Sequence, residues 1–421
     1  MGTNRVGGLM RGELPDIVIT GLAMTNALAT DAEDSWAALI EGRSGIRELS
    51  APFVEELDLP VRIGGQLLEE FDGELSRVEL RRLSYLQKMA LVLSRRLWEH
   101  SGSPEVDPTR LAVSVGSGLG NGEEVILAYV AMRAKGLKAV SPLAVQMFMP
   151  NGPAAAVGLD RAARGGVTAP SSGHASGATA IAQAWQQIVF DDADMVICGG
   201  VECPIEGVPI AAYAQIDGVM STDNDDPTGA ARPFDRDRTG MVLGEGGALL
   251  IMETEAHAKA RGARILARVL AAATTSDGYD AMQSDPDAEQ EAYALTRAIE
   301  LAGLTPSDVD LVNAHAAGTL DGDLVEATAL RKAFGDHRPA VYAPKAALGN
   351  TFGAAGAIEA ALTVLSLRDG VVPPTLNLSE LDERIDLDVV SGQARRADYR
   401  YAVSNTFAFG GHNVVLAFGK Y

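Results

Sequence analysis

Val167-Thr-Ala-Pro-Ser-Ser-Gly-His-Ala-Ser-Gly177 reads as a strand, a sharp glycine turn and the start of a helix that runs on through Ala178-Thr-Ala-Ile-Ala-Gln-Ala-Trp185. That layout aims the turn residue at the unpaired backbone N–H groups of a helix start, where an anion is stabilised and a thiol is made acidic. The turn residue is His174, an imidazole. The pattern returns at an offset of 176 residues, where Gly349-Asn350-Thr-Phe-Gly353-Ala-Ala-Gly-Ala-Ile-Glu-Ala lines up with Gly173-His174-Ala-Ser-Gly177-Ala-Thr-Ala-Ile-Ala-Gln-Ala. Each copy places a polar residue on a glycine turn that opens a helix of small residues, and such helices allow close backbone packing. The echo predicts two similar halves whose small-residue helices meet at a pseudo-twofold centre.

Outward from these turns, apolar runs alternate with helical patterns. Ile17–Thr20, Leu111–Val115, Met195–Cys198, Val309–Asn313 and Ala340–Ala343 read as strands, with helices such as Leu83–Leu97 and Gln290–Ala302 between them. The class is therefore α/β with mixed or parallel sheets. Tyr401–Ser404 and Val414–Phe418, joined by the glycine-containing Phe407-Ala-Phe-Gly-Gly411, read as adjacent strands that close the fold. With 421 residues, 47% of them apolar, the chain can build a large core. No apolar run is long enough to span a bilayer and no leader-like pattern opens the sequence, so a cytoplasmic protein without membrane insertion is expected. Cys198 and Cys203 are too few and too close for a disulfide framework and read as structural thiols beside a buried strand. A net charge of −21 argues against nucleic-acid binding. An acidic partner would need a local basic patch, for which Arg77 with Arg81 and Arg82, and Arg133 with Lys135 and Lys138, are the candidates.

Four segments carry polar groups at strand ends or glycine turns, where α/β proteins place their chemistry. They are the His174 turn, Asn313-Ala-His315-Ala-Ala-Gly-Thr319, Lys345-Ala-Ala-Leu-Gly-Asn350 and Asn405-Thr-Phe407-Ala-Phe409-Gly-Gly-His-Asn413. In this order and spacing the chain resembles the β-ketoacyl-acyl-carrier-protein synthases, over nearly its whole length those of the mycobacterial KasB and KasA type. Phe53-Val-Glu-Glu-Leu-Asp-Leu-Pro-Val-Arg-Ile-Gly-Gly65, Ser101-Gly-Ser-Pro-Glu-Val-Asp107, Ser141-Pro-Leu-Ala-Val-Gln146, Ala256-His-Ala-Lys-Ala-Arg-Gly262 and Leu367-Arg-Asp-Gly-Val-Val-Pro-Pro-Thr-Leu-Asn377 carry the likeness further. The resemblance implies a thiolase fold, two pseudo-twofold-related α/β halves in a five-layer α-β-α-β-α arrangement, and a dimer. On that basis residues 1–13 are expected to be a flexible N-terminus, 14–265 the first half and 266–421 the second.

In such synthases a cysteine holds the growing acyl chain as a thioester, and two histidines assist decarboxylation of malonyl-carrier protein to the attacking carbanion. The resemblance puts His174 at the cysteine position, His315 at the first histidine, Asn350 at the second, and Lys345 at the lysine that orients and charge-balances them. It assigns the oxyanion hole and gate to His174, Phe407 and Phe409, and the pantetheine contacts to Thr319 and Ala317, the latter replacing a threonine. Ala346 and Thr239-Gly240-Met241 are further departures. No metal or separate cofactor is implied, since the acyl chain arrives on the phosphopantetheine of acyl carrier protein. An apolar acyl tunnel is expected behind Phe407, and Met147, Phe148, Met149 and Pro150 read either as a flexible apolar lining or as dimer-interface core. An imidazole is a poor stand-in for a thiolate, because an acyl-imidazole hydrolyses far more readily than a thioester. Whether the chain is an enzyme is thus left open between three readings. It acts as a carrier-protein-binding or chain-length-shaping subunit, in a homodimer or a heterodimer with a Cys-bearing paralogue; or it is a malonyl-carrier-protein decarboxylase or other residual acyl-carrier-protein enzyme; or it is a long-chain synthase working by an unusual mechanism.

Overall fold

The computed structural model describes residues 14–421 and the paired two-residue strands Arg5–Val6 and Leu9–Met10. The expectation of flexibility over residues 1–13 otherwise lies outside the described residues. Eleven strands form one mixed sheet: Ile17–Asn26 (β1), Leu111–Gly116 (β2), Val167–Thr168 (β3), Met195–Glu202 (β4), Gly246–Thr254 (β5), Ala267–Ser276 (β6), Leu311–Asn313 (β7), Ala340–Tyr342 (β8), Asp388–Val389 (β9), Tyr401–Ala408 (β10) and His412–Lys420 (β11). The helices that matter for the site are Tyr85–His100 (α1), Gly122–Lys135 (α2), Gly152–Asp160 (α3), Ser176–Val189 (α4), Glu289–Leu301 (α5), Gly322–Phe334 (α6) and Ala355–Asp369 (α7).

The sheet order is β9-β8-β7-β10-β11-β6-β1-β5-β4-β2-β3. Outward from the β6–β1 junction both arms repeat the same directions. β1–β5 and β5–β4 are antiparallel, then β4–β2 and β2–β3 parallel; β6–β11 and β11–β10 are antiparallel, then β10–β7 and β7–β8 parallel. This is the pseudo-twofold relation that the sequence echo predicts. The arms are joined through a short register, Ala267 with Ile19 to Val269 with Ile17.

Helices α4 and α7 lie between the inner faces of the two arms. α4 packs on β4 and β2 of its own arm and reaches β6 and β11 of the other, while α7 packs on β10 and β11 and reaches β5 and β4. α1 and α3 cover the outer face of the first arm, α5 and α6 that of the second. The result is the expected five-layer α-β-α-β-α arrangement. Side chains alternate between the cores: in β4, Val196 and Cys198 face the central layer while Met195 and Ile197 face the outer one, and in β11 Val414 and Leu416 face inward while Val415 and Ala417 face outward. Burial on both faces explains why these strands read as continuous apolar runs. The small residues of the echo let the two central helices touch: a Cβ on Gly177 would stand 3.0 Å from that of Ala357, and one on Gly356 2.6 Å from that of Ala178.

Several boundaries differ from the expectation, the strands at Met195–Glu202 and Tyr401–Ala408 each running four residues further than read. β1 runs to Asn26 instead of ending at Thr20, because its pairing register shifts between Ile19 and Gly21 and continues beyond the irregularity. α1 starts at Tyr85 behind a Ser84–Gln87 capping box and ends at His100. Among the described residues no helix is long and apolar enough to cross a membrane.

Candidate active site

The site forms where β7, β8 and β10, parallel neighbours, end at one edge of the sheet, opposite the starts of α4 and α7. His174 occupies the turn before α4, entered through Gly173 at φ +57°, and Asn350 the matching turn before α7, entered through Gly349 at φ +76°. His315 follows β7, Lys345 opens the short helix Lys345–Leu348 after β8, and Phe407 and Phe409 come from the β10–β11 hairpin. His174, His315, Asn350, Ala317, Thr319, Phe407 and Phe409 line one cavity of about 40 Å³. All four sequence segments therefore converge. Lys345, 3% exposed, stands behind the cavity wall, not on it.

Lys345 donates to the His315 carbonyl and to Glu359, and its Nζ lies 3.3 Å from His315 Nδ1. An ammonium has no acceptor capacity, so Nδ1 must be the unprotonated nitrogen and the His315 proton sits on Nε2. The backbone on either side is fixed by Glu326, whose carboxylate accepts from the His315 and Ala316 N–H groups and from Asn405 Nδ2. Burial and the Lys345 charge hold His315 well below the ordinary imidazole range. His315 is thus a neutral donor, as an enolate-stabilising group requires.

His174 is 2% exposed and neither ring nitrogen has a hydrogen-bond partner among the described residues. Burial, with the Lys345 charge, lowers its pKa to about 3. Its ring is packed by Phe352 at 3.9 Å between centroids and by Phe409 at 5.1 Å edge-on, with His315 at 6.1 Å. Phe407 approaches His315 instead, at 6.5 Å. Phe352 escaped the sequence reading. It adopts a left-handed backbone, φ +50°, and is 4% exposed. The motif position two residues beyond Asn350 was the available signal. On its far side stands the buried Glu202, which accepts from the N–H groups of Leu119 and Gly353 and from Ser117 Oγ; burial raises it to about 7. The Phe352 ring edge and the Glu202 carboxylate each lie 3.0 Å from where a Cβ on Gly118 would stand.

Asn350 turns its Oδ1 to the Phe352 N–H, 3.1 Å, and its Nδ2 to the thioether of Met241, 3.3 Å. Sulfur is a weak acceptor, which leaves Nδ2 with donor capacity for a ligand. The departures Asn350 and Met241 therefore meet one another. The rings of Phe352 and Phe409 pack against the His174 imidazole, and the cavity there measures about 40 Å³. Met147, Phe148, Met149 and Pro150 do not line the cavity but lie on a partly exposed segment around the short helix Ala144–Phe148.

Both cysteines lie off the cavity. Cys198 is buried in β4 and Cys203 packs against the outer core, and burial raises both thiols. A larger cavity, about 580 Å³, opens at the seam of the arms. Its Arg96, Arg261 and Arg368 are already paired with Glu69, Glu253 and Glu33.

The Beta-ketoacyl synthase N-terminal domain matches residues 15–258 and its C-terminal domain residues 266–379. The chain is 64% identical over 407 residues to a 3-oxoacyl-[acyl-carrier-protein] synthase 2 of Mycobacterium tuberculosis, covering 97% of this chain and 98% of the relative. Among solved structures, the ishigamide ketosynthase/chain length factor superposes with a TM-score of 0.90 at 27% identity, over 97% of this chain and all, 100%, of that one. A Beta-ketoacyl synthase from Burkholderia phymatum superposes at 0.89 with 32% identity and the same coverage. With the fold, the paired turns and the His315–Lys345 arrangement agreeing with these likenesses along the whole chain, it belongs to the β-ketoacyl synthase family.

Proposed function

We propose that this chain is a non-condensing member of its family that binds acyl carrier protein in the cytoplasm and pairs with a Cys-bearing paralogue. The observation that carries this reading is the state of the nucleophile position. It holds a neutral imidazole wedged between Phe352 and Phe409, no thiol lines the cavity, and about 40 Å³ cannot store an acyl chain. Ligand pockets are commonly about 300 Å³ or more. Two surfaces support the partnerships. Val125, Ile126, Leu127, Tyr129 and Val130 expose apolar surface on α2, and β3 is a sheet edge unpaired by any described residue, with Val167 44% exposed, the kind of surface a second subunit covers. Arg77, Arg81, Arg82, Arg133, Lys135 and Lys138 are exposed and make no ion pair among the described residues, which suits an acidic carrier protein. The likeness to a ketosynthase/chain length factor agrees with a pairing role. No cofactor of its own is needed, the acyl group being carried on the partner's phosphopantetheine, with Thr319 beside the arm.

Co-expression with a Cys-bearing synthase tests this. A heterodimer whose products differ in chain length from those of the synthase alone is expected; a strict homodimer that leaves the products unchanged would overturn it.

A second reading is favoured by the intact donor pair. His315, with its proton on Nε2, and Asn350 Nδ2 can both donate to the enolate oxygen formed when malonyl-carrier protein loses CO₂. Intact masses of malonyl-carrier protein, with and without the chain and against His315→Ala, test it. Acetyl-carrier protein must form, and must fail to form with the variant.

A further inference from the structure

Glu291, in the first turn of α5, is 0% exposed and lines the same cavity as His174, His315 and Asn350. Among the described residues neither of its carboxyl oxygens has a hydrogen-bond partner. An ionised carboxylate buried without a partner is strongly disfavoured, so such a group takes up a proton instead. The charged groups that act on it most strongly are acids, Asp277, Asp285 and Glu326, and its own backbone N–H is the donor that favours the ionised form. Burial, reinforced by these acids, raises it to about 7. The other carboxylates at the cavity are already engaged, Glu326 by three N–H groups and Asp323 by those of Phe234 and Gly318. Among the described residues Glu291 is thus the one carboxyl on the cavity wall whose oxygens have no hydrogen-bond partner, free to present its proton to a ligand.

We propose that Glu291 is the proton donor that turns malonyl decarboxylation into release of an acetyl thioester, an inference that rests on the decarboxylation reading. The bond between the malonyl α-carbon and its carboxylate breaks to give CO₂, and the electron pair passes onto the thioester oxygen, held by His315 and Asn350. The α-carbon then takes the Glu291 carboxyl proton, forming a C–H bond and leaving a carboxylate that is reprotonated from water. A condensing site must keep this carbanion from protons until it meets an acyl thioester. This cavity has no thiol to hold the thioester and a neutral acid on its wall, so protonation replaces carbon–carbon bond formation.

The experiment measures acetyl-carrier protein formed from malonyl-carrier protein between about pH 6 and 9, for the wild type, Glu291→Gln and Glu291→Ala. The wild-type rate should hold up to about pH 7 and fall about tenfold per unit above it, since only the protonated acid acts. Glu291→Gln should lose about a hundredfold and its pH dependence, and formic acid should restore rate to Glu291→Ala. Melting curves confirm folding, which removal of an unpartnered carboxyl should not impair. If Glu291→Gln keeps the wild-type rate and profile, the proposal is wrong while the decarboxylation reading stands. If the wild type forms no acetyl-carrier protein, both fall.

Discussion

Replacing Phe352 tests whether one ring closes the site. Its side chain is buried, and truncating a buried phenylalanine costs about 3–5 kcal/mol. Its backbone, however, sits at φ +50°, a conformation that costs a residue bearing a Cβ about 1–2 kcal/mol. Phe352→Gly recovers that strain and Phe352→Ala does not. Glycine ordinarily trails alanine by about 0.5–1 kcal/mol in regular structure, so here the order should invert, with Phe352→Gly the more stable by about 0.5–1 kcal/mol. Denaturant midpoints at fixed protein concentration measure both. Access is read in a His174→Cys background by alkylation with iodoacetamide and with a long-chain N-alkyl iodoacetamide, the wild type correcting for Cys198 and Cys203. With Phe352 present the long reagent should lag by about tenfold, equivalent to about 1.4 kcal/mol. With Phe352→Gly the lag should vanish, because each methylene that enters the opened space gains up to about 0.8 kcal/mol. Equal labelling by the two reagents with Phe352 in place, or greater stability of Phe352→Ala, would refute the reasoning.

Three further outcomes follow from the buried charges. Lys345→Met should destabilise the fold by about 3–5 kcal/mol, since it leaves Glu359 buried without its cation, whereas Lys345→Met with Glu359→Leu should recover most of the loss; chemical denaturation compares them. Glu291 is raised from 4.5 to about 7, so the folded state holds a proton that the unfolded state releases and stability declines as pH rises through that window. Glu291→Gln should therefore gain on the wild type by up to about 3 kcal/mol between pH 4.5 and 7, visible in paired melts, and a constant difference would count against the burial argument. His174 is lowered from 6.5 to about 3, so the unfolded state binds the proton first and stability declines as pH falls below 6.5. At pH 5 the wild type should have lost about 2 kcal/mol more than His174→Gln relative to pH 7.

Much of this architecture is written in local signals. The echo between the His174 and Asn350 turns predicts the paired central helices, since glycine and alanine at matched places are needed where Gly177 meets Ala357 and Gly356 meets Ala178. Strand ends and glycine turns marked His315, Lys345 and the Phe407–Phe409 hairpin because those features depend on a few adjacent residues. The narrowness of the cavity was not legible, as it depends on where the Phe352 ring points relative to His174, and that follows from a left-handed residue with no glycine to announce it. Met241 beside Asn350 is a contact between residues 109 apart in sequence. Glu291 was readable in principle. It lies on the stripe of Leu295, Ala298 and Ile299 that α5 buries, so a carboxylate stood at an apolar position of a helical pattern. Its meaning needed the cavity.

The position of α4 and α7 between the arms bears on how the molecule folds. Each arm's central helix completes the interior of the other arm, since α4 reaches β6 and β11 and α7 reaches β5 and β4. The seam strands share only a short register, so backbone pairing contributes little to holding the arms together compared with that shared interior. Neither half is then an autonomous cooperative unit, whatever its descent. A fragment ending before β6 would leave one face of α4 in water, and both turns stand on the same shared interior. A mutation in either central helix should therefore perturb the His174 and Asn350 turns together.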